Sequence, residues 1–277
     1  MPISVSSASN RSAVSTLFLL TVALVLGLPL LASVAGCSKA PKKKEQVRTA
    51  APATLCPGGV AEDPPRGDLE PGIRAFEEKR YAEAQRDFAE LARLHPKGGS
   101  VLVWLGDAIF YDKDRSEDEA ARSALPHYEA AGKLHAEGCA LPRRPRYYQL
   151  IGIAYAGLRL SKSAGVVAGA PMLAAAETAL KALESEFPTS AEVPYTQARL
   201  ACFRASEGSA FEQNQAACLE RFKKTLEISE GYERPRFLRT HRSTQDWVVR
   251  SETQSEFGPL RADPQYRRFV QSVVRSD

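Results

Sequence analysis

Residues 72–96 read GIRAFEEKRYAEAQRDFAELARLHP, and their spacing carries the clearest structural signal in the chain. Apolar residues recur three and four positions apart, which is the period of an amphipathic helix. The sequence after this stretch is also rich in Ala, Leu, Glu and Arg, and it contains no sustained alternation of apolar and polar residues of the kind that predicts a strand. The chain from about Pro71 onward is therefore predicted to be all-helical.

Small residues return at regular intervals within this helical region. Gly106 lies 34 residues after Gly72, Gly152 lies 46 residues after Gly106, and Ala198 lies another 46 residues beyond. We expect small residues at these positions because two helices cross closely there, while aromatic residues fill the groove between neighbouring helix pairs. Such self-similarity predicts a stack of repeated helical units.

The repeated residues resemble the tetratricopeptide repeat, a 34-residue helix–turn–helix that stacks into a superhelix. The first repeat carries the family's residues at Gly72, Tyr81, Ala84, Phe88 and Pro96. The resemblance covers roughly residues 71–230 and weakens along the chain. It implies an all-α fold, an α-solenoid of about four hairpins. The alternative is a generic helical bundle, in which Ala and Leu also recur.

Two segments interrupt the repeat pattern. An insertion of about six residues falls within 111–121, between the helices of the second repeat. The segment 161–171 makes the linking loop of the third repeat about twelve residues longer than usual, and its glycines, Gly165 and Gly169, are read as part of a flexible loop.

The C-terminal segment, residues 231–277, is expected to be a short helical cap. Its stretch EFGPLRADPQYRRF resembles the helical segment that often closes such arrays, and an open array needs its last apolar face covered. We expect Phe257 and Leu260 to pack inward, Asp263 to cap a helix, and Pro264 to open that helix.

The N-terminus resembles that of a bacterial lipoprotein. An almost unbroken apolar run covers residues 17–31, which is short for a membrane span and suits the core of a signal peptide. It is followed by Val34-Ala35-Gly36-Cys37, which resembles a lipobox. The resemblance implies that residues 1–36 are removed and that Cys37 carries a covalent lipid, the only attached group expected. Alternatives are an ordinary secretory signal and an uncleaved anchor helix.

A flexible lipid-linked tether is predicted for residues 37–70. This stretch is rich in Pro and contains few large apolar residues, so it buries too little surface to offset the entropy of ordering. Ser38 follows the predicted lipid site where an inner-membrane retention signal would have Asp, which favours the periplasmic face of the outer membrane. The lysines at 42–44 either touch anionic headgroups or begin a solvated linker.

Four cysteines remain once Cys37 is set aside, and three pairings of them are possible. Cys202 and Cys218 face each other if the fourth repeat is an antiparallel hairpin, so a disulfide between them is expected. Cys56 would then pair with Cys139. The alternative is that some of them are small buried thiols. Neither a Cys-x-x-Cys motif nor a histidine at ligand spacing from a Cys pair occurs, so we expect no metal site.

The sequence offers no catalytic motif, and we expect no enzyme and no small-molecule substrate. Its four histidines are scattered, and it lacks the motifs of zinc proteases, serine hydrolases and phosphate-binding loops. The net charge of +4 is spread along the chain, which argues against nucleic-acid binding. An enzyme with an unrecognised site in the third repeat's insertion is the least favoured hypothesis.

The favoured function is that of a non-catalytic adaptor or assembly factor in the cell envelope, with a protein partner of unknown identity. The concave face of a tetratricopeptide superhelix usually receives a protein segment. Its candidate residues here are Arg74, Asp107, Tyr111, Gln149, Tyr155 and Gln197.

The alternative function is that of an envelope protein that binds peptidoglycan or another anionic glycan through an arginine-rich surface. The favoured explanation of these arginines is a solvated helix face. The arginines are Arg234, Arg236, Arg239 and Arg242, with Arg143, Arg144 and Arg146 elsewhere.

Overall fold

The computed structural model describes residues 56–57, 63–208, 210–230 and 243–274. The predicted signal peptide, the lipid site Cys37 and most of the predicted tether lie outside these residues. The same is true of four arginines of the predicted anion-binding surface, Arg234, Arg236, Arg239 and Arg242. Over the described ranges the chain forms α-helices and no strand, so the all-α prediction is confirmed.

Four helical hairpins follow one another along the chain. Their helices are α1 (Arg66–Glu77) and α2 (Tyr81–Leu94), α3 (Gly99–Phe110) and α4 (Glu117–Ala136), α5 (Arg143–Ala168) and α6 (Ala170–Glu186), and α7 (Glu192–Ser206) and α8 (Phe211–Glu230). The two helices of each hairpin pack together, and each first helix contacts the first helix of the next hairpin. This solenoid-like arrangement agrees with the predicted fold class.

Aromatic side chains from the second helices join neighbouring hairpins. The Phe88 ring of α2 covers Gly72 of α1, where an added Cβ would lie 2.7 Å from the ring. The same ring stacks on Trp104 of α3 with centroids 5.8 Å apart. The small residue lets the ring fill the space between three helices, which is the role expected of Gly72 from the sequence.

Tyr128 repeats this arrangement one hairpin later. Its ring is fully buried on α4, against Gly106 of α3 and Gly152 of α5. A Cβ added at Gly106 or Gly152 would lie 2.8 or 2.5 Å from the ring, respectively. Its hydroxyl donates a 2.8 Å hydrogen bond to Asp107. The second and third hairpins are therefore held together through one aromatic side chain.

The folded region begins earlier than the sequence predicts. Helix α1 starts at Arg66, five residues before the predicted boundary at Pro71, so the last part of the predicted tether is helical. Asp63 is also engaged, because its carboxylate accepts hydrogen bonds from the backbone N–H and the hydroxyl of Ser100. Of the segment 111–121, in which the insertion is predicted, residues 111–116 lie between α3 and α4 and residues 117–121 belong to α4.

The prediction of a long loop at 161–171 is wrong. Helix α5 continues to Ala168 and α6 begins at Ala170, so the extra residues lengthen the hairpin itself. Only Gly165 departs from helical geometry, with φ +80°. Glycine reaches this left-handed region without the steric cost that a side chain imposes, so a single residue bends the chain where a whole loop was expected.

The structure pairs the cysteines as the sequence suggests. Cys202 of α7 is bonded to Cys218 of α8, with Cα atoms 5.3 Å apart. Cys56 is bonded to Cys139, which follows α4, with Cα atoms 5.2 Å apart. The first disulfide closes a hairpin, whereas the second fastens the segment before α1 to the turn between the second and third hairpins.

A C-terminal cap covers the fourth hairpin. It consists of α9 (Thr244–Thr253), a 3₁₀ turn (Ser255–Phe257), α10 (Gly258–Ala262) and α11 (Pro264–Val274). Phe257 and Leu260 are fully buried, and the Asp263 carboxylate accepts a 2.7 Å hydrogen bond from the backbone N–H of Gln265 at the start of α11. Phe257, Leu260 and Asp263 thus have the positions expected of them, whereas residues 231–242 and 275–277 of the predicted cap lie outside the described residues.

One buried carboxylate, Glu256 of the 3₁₀ turn, fixes the cap to the hairpins. It accepts hydrogen bonds from Arg199 of α7 at 2.6 Å and from Lys162 of α5 at 3.0 Å. Burial alone would raise the pKa of Glu256, but the charges of Arg199 and Lys162 and the hydrogen bonds outweigh it and lower the pKa to about 2. The carboxylate therefore stays ionised in the folded cap.

We expect Glu256→Gln to lower the free energy of unfolding by about 3 kcal/mol at pH 7. Because the folded pKa of Glu256 is below its ordinary value of 4.5, its stabilisation is complete above that value and disappears as the pH falls toward 2. Urea unfolding of both proteins between pH 7 and pH 2 should show the difference shrinking with acid. A difference that does not change with pH would contradict the role of the charge.

Candidate functional site

A groove of about 310 Å³ opens among the first helices of the first three hairpins. Its lining residues come from α1, α3 and α5. They are Arg66, Glu70, Ile73, Glu77, Val103, Trp104, Asp107, Arg144, Pro145 and Tyr148. The second helices α2, α4 and α6 contribute none of these side chains, so this is the face of the stack formed by first helices.

Helical spacing explains why these side chains meet. The four lining residues of α1 stand four, three and four positions apart, which places them on one face of that helix. Trp104 and Asp107 of α3 are three apart, and Tyr148 follows Arg144 of α5 by four. One face of each of the helices α1, α3 and α5 therefore turns toward the same groove.

Arg144 is the most unusual residue of the groove. Its guanidinium carbon lies 5.7 Å from the ring centroids of both Trp104 and Tyr148. Two of its nitrogens, Nε and Nη2, are shielded from water and have no hydrogen-bond partner among the described residues. A buried donor without a partner is costly, and native structures contain few of them.

Asp107 lines the same groove but is held by the core. It is 8% exposed and accepts the hydrogen bond of the Tyr128 hydroxyl. Burial, together with the charge of Asp107, raises the pKa of Tyr128 well above its ordinary value, so the hydroxyl stays protonated and can donate. Asp107 thereby connects the groove to Tyr128, the side chain that joins the second and third hairpins.

A row of arginines and aromatic rings continues along the first helices. Arg159 of α5 lies 3.9 Å from the ring centroid of Phe110 on α3, and Phe110 stacks on Tyr155. Arg199 of α7 lies 5.3 Å from the Tyr155 ring. Burial lowers the pKa of Arg159. Arginine–aromatic contacts thus join the hairpins next to the groove as well as within it.

The six residues predicted to bind a partner do not form one site in the structure. Of these, only Asp107 lines the groove. Arg74 is exposed on α1 outside the lining set, and Tyr111 is 45% exposed at the end of α3. Gln149 is only 2% exposed and is hydrogen-bonded to Arg146 and to the Tyr128 carbonyl, so it joins helices and is inaccessible to a partner.

The remaining two predicted residues, Tyr155 and Gln197, are partly buried and engaged within the stack. The Tyr155 hydroxyl donates to Glu192 of α7, and the Gln197 amide donates to Glu184 of α6 at 3.1 Å. Both side chains therefore connect hairpins.

Several residues that line the groove were not predicted from the sequence to bind a protein partner. Arg66 and Glu70 lie within the predicted tether, because the sequence pattern places the helix start at Pro71. Tyr148 is not among the residues predicted to bind a partner. The sequence marks Arg144 only as one of several surface arginines, although three arginines in the first turn of α5 are a visible signal.

Among the residues that the structure describes, no three His, Cys, Asp or Glu side chains form a group that could hold a metal ion. Comparisons of the chain with protein-family models, with curated proteins and with solved structures each found no match. The groove and the hairpins are therefore interpreted from their own geometry and chemistry.

Proposed function

We propose that this chain is a non-catalytic lipoprotein of the bacterial cell envelope whose tetratricopeptide-like repeats bind a segment of another protein. The lipobox-like Val34-Ala35-Gly36-Cys37 supports the lipid anchor, and Ser38 supports the periplasmic face of the outer membrane. The two disulfides also support this location, because disulfides persist in oxidising compartments. The partner is an envelope protein that the anchored domain recruits or helps to assemble.

The groove formed by α1, α3 and α5 is the observation that carries the binding proposal. Its ten lining residues include no His, Cys, Ser, Thr or Lys, so no Ser, Thr or Cys nucleophile with a His or Lys base lines it. It does contain Trp104, Tyr148 and Arg144, and Trp, Tyr and Arg dominate the binding energy of protein interfaces. This composition favours recognition over chemistry.

Affinity purification after brief crosslinking in living cells tests the binding proposal. The tagged full chain is compared with a groove variant, Arg66→Glu/Glu70→Lys, which swaps two exposed charges without changing the net charge. The matched control is Arg86→Glu/Glu90→Lys on α2, with the same spacing and the same change of charge. We expect one dominant protein partner, recovered equally by the control and reduced about tenfold in the groove variant.

Two results would count against the adaptor proposal. Equal recovery of the partner by all three proteins would place the binding surface elsewhere. Sedimentation of the chain with purified cell-wall sacculi, in the absence of a protein partner, would favour the glycan-binding alternative instead.

Cys37→Ser is expected to abolish lipid attachment. Cells grown with a labelled palmitate analogue should label the wild-type protein and leave Cys37→Ser unlabelled, because the thiol is the predicted acceptor. Cys56→Ser serves as the control, since it removes a cysteine that the structure places in a disulfide and should keep the label. Label on Cys37→Ser would place the lipid on another residue, and an unlabelled wild type would favour an ordinary signal or an anchor helix.

A further inference from the structure

The charged residues that line the groove are divided between its two ends. Because short turns connect antiparallel neighbours, α1, α3 and α5 run in the same direction. The two lining arginines lie where these helices begin, Arg66 as the first residue of α1 and Arg144 as the second residue of α5. Two lining carboxylates, Glu77 and Asp107, lie in the last turns of α1 and α3. We call the part of the groove next to Glu77 and Asp107 its acidic end.

The ring of Phe76 shows that these two carboxylates belong to the same part of the groove. Its centroid lies 5.6 Å from that of Trp104 and 6.0 Å from that of Tyr111, both on the α3 side. Asp107 stands three residues after Trp104 and four before Tyr111, so the three share one face. Since Glu77 directly follows Phe76, the end of α1 lies beside the turn of α3 that contains Asp107.

The acidic end favours a positively charged ligand group. The C-terminal end of a helix carries a partial negative charge, and both α1 and α3 end here. The last turn of α3 contains Asp107 but no basic residue, and Arg74 in the last turn of α1 lies outside the lining set. Arg159 of α5 lies over the Phe110 ring at the end of α3, but Glu117 lies 3.9 Å from its guanidinium and offsets its charge. A cation brought by a ligand would complement the carboxylates and the helix ends together.

The opposite end of the groove offers little to a charged ligand. Arg144 lies against the rings of Trp104 and Tyr148, and its Nε and Nη2 are shielded from solvent, so this edge of the guanidinium is closed to a ligand. The charge of Arg66 is opposed by that of Glu70, one turn further along the same face of α1. Charge recognition is therefore concentrated at the acidic end.

We propose that the acidic end of the groove binds a Lys or Arg side chain of the partner segment. This inference rests on the proposed function and names the chemistry of the segment that enters the groove. The cation pairs with the exposed carboxylate of Glu77, while Asp107, which is only 8% exposed, adds its negative charge to the groove wall. The aliphatic stem of the side chain packs on Ile73, one turn before Glu77 on the same face of α1.

Selection from a library of random dodecapeptides displayed on phage tests this inference. The library is selected on the full chain in detergent micelles, and recovered peptides are measured against the wild type, Glu77→Gln and Glu129→Gln. Glu129 is exposed on the second helix α4 and provides the matched control. We expect the peptides to share a Lys or Arg and to bind the Glu129→Gln control as they bind the wild type.

The decisive comparison changes the peptide as well as the protein. Replacing the shared basic residue of the peptide by Gln should weaken binding to the wild type about fivefold and should change binding to Glu77→Gln by much less. Because the changed peptide is measured on an unchanged protein, this result does not depend on how a variant folds. Added salt should narrow the difference between the two peptides on the wild type, since salt screens exposed charges.

Different failures have different meanings. Peptides that lose binding on Arg66→Glu/Glu70→Lys but share no Lys or Arg would overturn the proposal of a basic side chain and leave the groove as a binding site. A Gln-substituted peptide that is weakened equally on the wild type and on Glu77→Gln would have the same consequence. Peptides that ignore the groove variant, or a library that yields none, would overturn the proposal and also count against the proposed function.

Discussion

Replacing Tyr128 with Ala is expected to lower the free energy of unfolding by about 4 kcal/mol, because the ring fills the space between two hairpins. The side chain is fully buried, and neither Gly106 nor Gly152 offers atoms that could fill the cavity left behind. The substitution also leaves the buried carboxylate of Asp107 without the hydroxyl that donates to it. Both losses act at the junction of the second and third hairpins.

Urea unfolding followed by circular dichroism measures this effect, and Tyr128→Phe is the matched control. The phenylalanine keeps the ring and removes only the hydrogen bond, so it should cost about 1–2 kcal/mol. If Tyr128→Ala lies within about 1 kcal/mol of the control, the ring does not act as the wedge that joins the hairpins.

Removing the Cys56–Cys139 disulfide is expected to cost about 4.5 kcal/mol in the chain-entropy model. The bridge spans 83 residues, whereas the Cys202–Cys218 bridge spans 16 and should contribute about 3 kcal/mol. The longer bridge restricts the unfolded chain more, and in the folded protein it holds the segment before α1 against the turn that precedes α5. Its loss should therefore affect the first three hairpins together.

Double serine variants of each pair, compared by urea unfolding without reductant, measure the two contributions. The expected order is a larger loss for Cys56→Ser/Cys139→Ser than for Cys202→Ser/Cys218→Ser. The reverse order would show that the longer bridge joins a segment that is not part of the cooperative fold.

The hairpins and the cap were predictable because their signals are local. Helical periodicity and small residues such as Gly72 and Gly106 mark helices that cross closely, and Pro264 after Asp263 marks a helix start. The pairing of Cys202 with Cys218 followed from the same hairpin geometry. These features depend on residues close in sequence, so the pattern alone carries them.

The predicted boundaries were wrong where proline and glycine have more than one structural role. Pro64 and Pro65 suggest a linker, yet α1 begins immediately after Pro65, and Pro71 lies inside it. Proline fits at Pro65 because the first N–H groups of a helix need no partner within the helix. Gly165 and Gly169 suggest a loop, but helices continue on both sides of the bend.

The groove could not be derived from the sequence because it combines residues from three hairpins. Arg144 and Tyr148 are separated from Trp104 by more than one helix, and the lack of a partner for the Arg144 nitrogens appears only when the helices are packed. The sequence shows the positive charge at the start of α5. It does not show which of the three arginines there has nitrogens without a hydrogen-bond partner.

Site-specific photocrosslinking in living cells tests most directly the claim that the first-helix groove receives a partner. A photoreactive amino acid replaces Glu70, which lines the groove, or Ala130, which is exposed on the second helix α4. We predict a discrete crosslinked protein adduct from position 70 and none from position 130. Adducts from position 130 with none from position 70 would contradict the account.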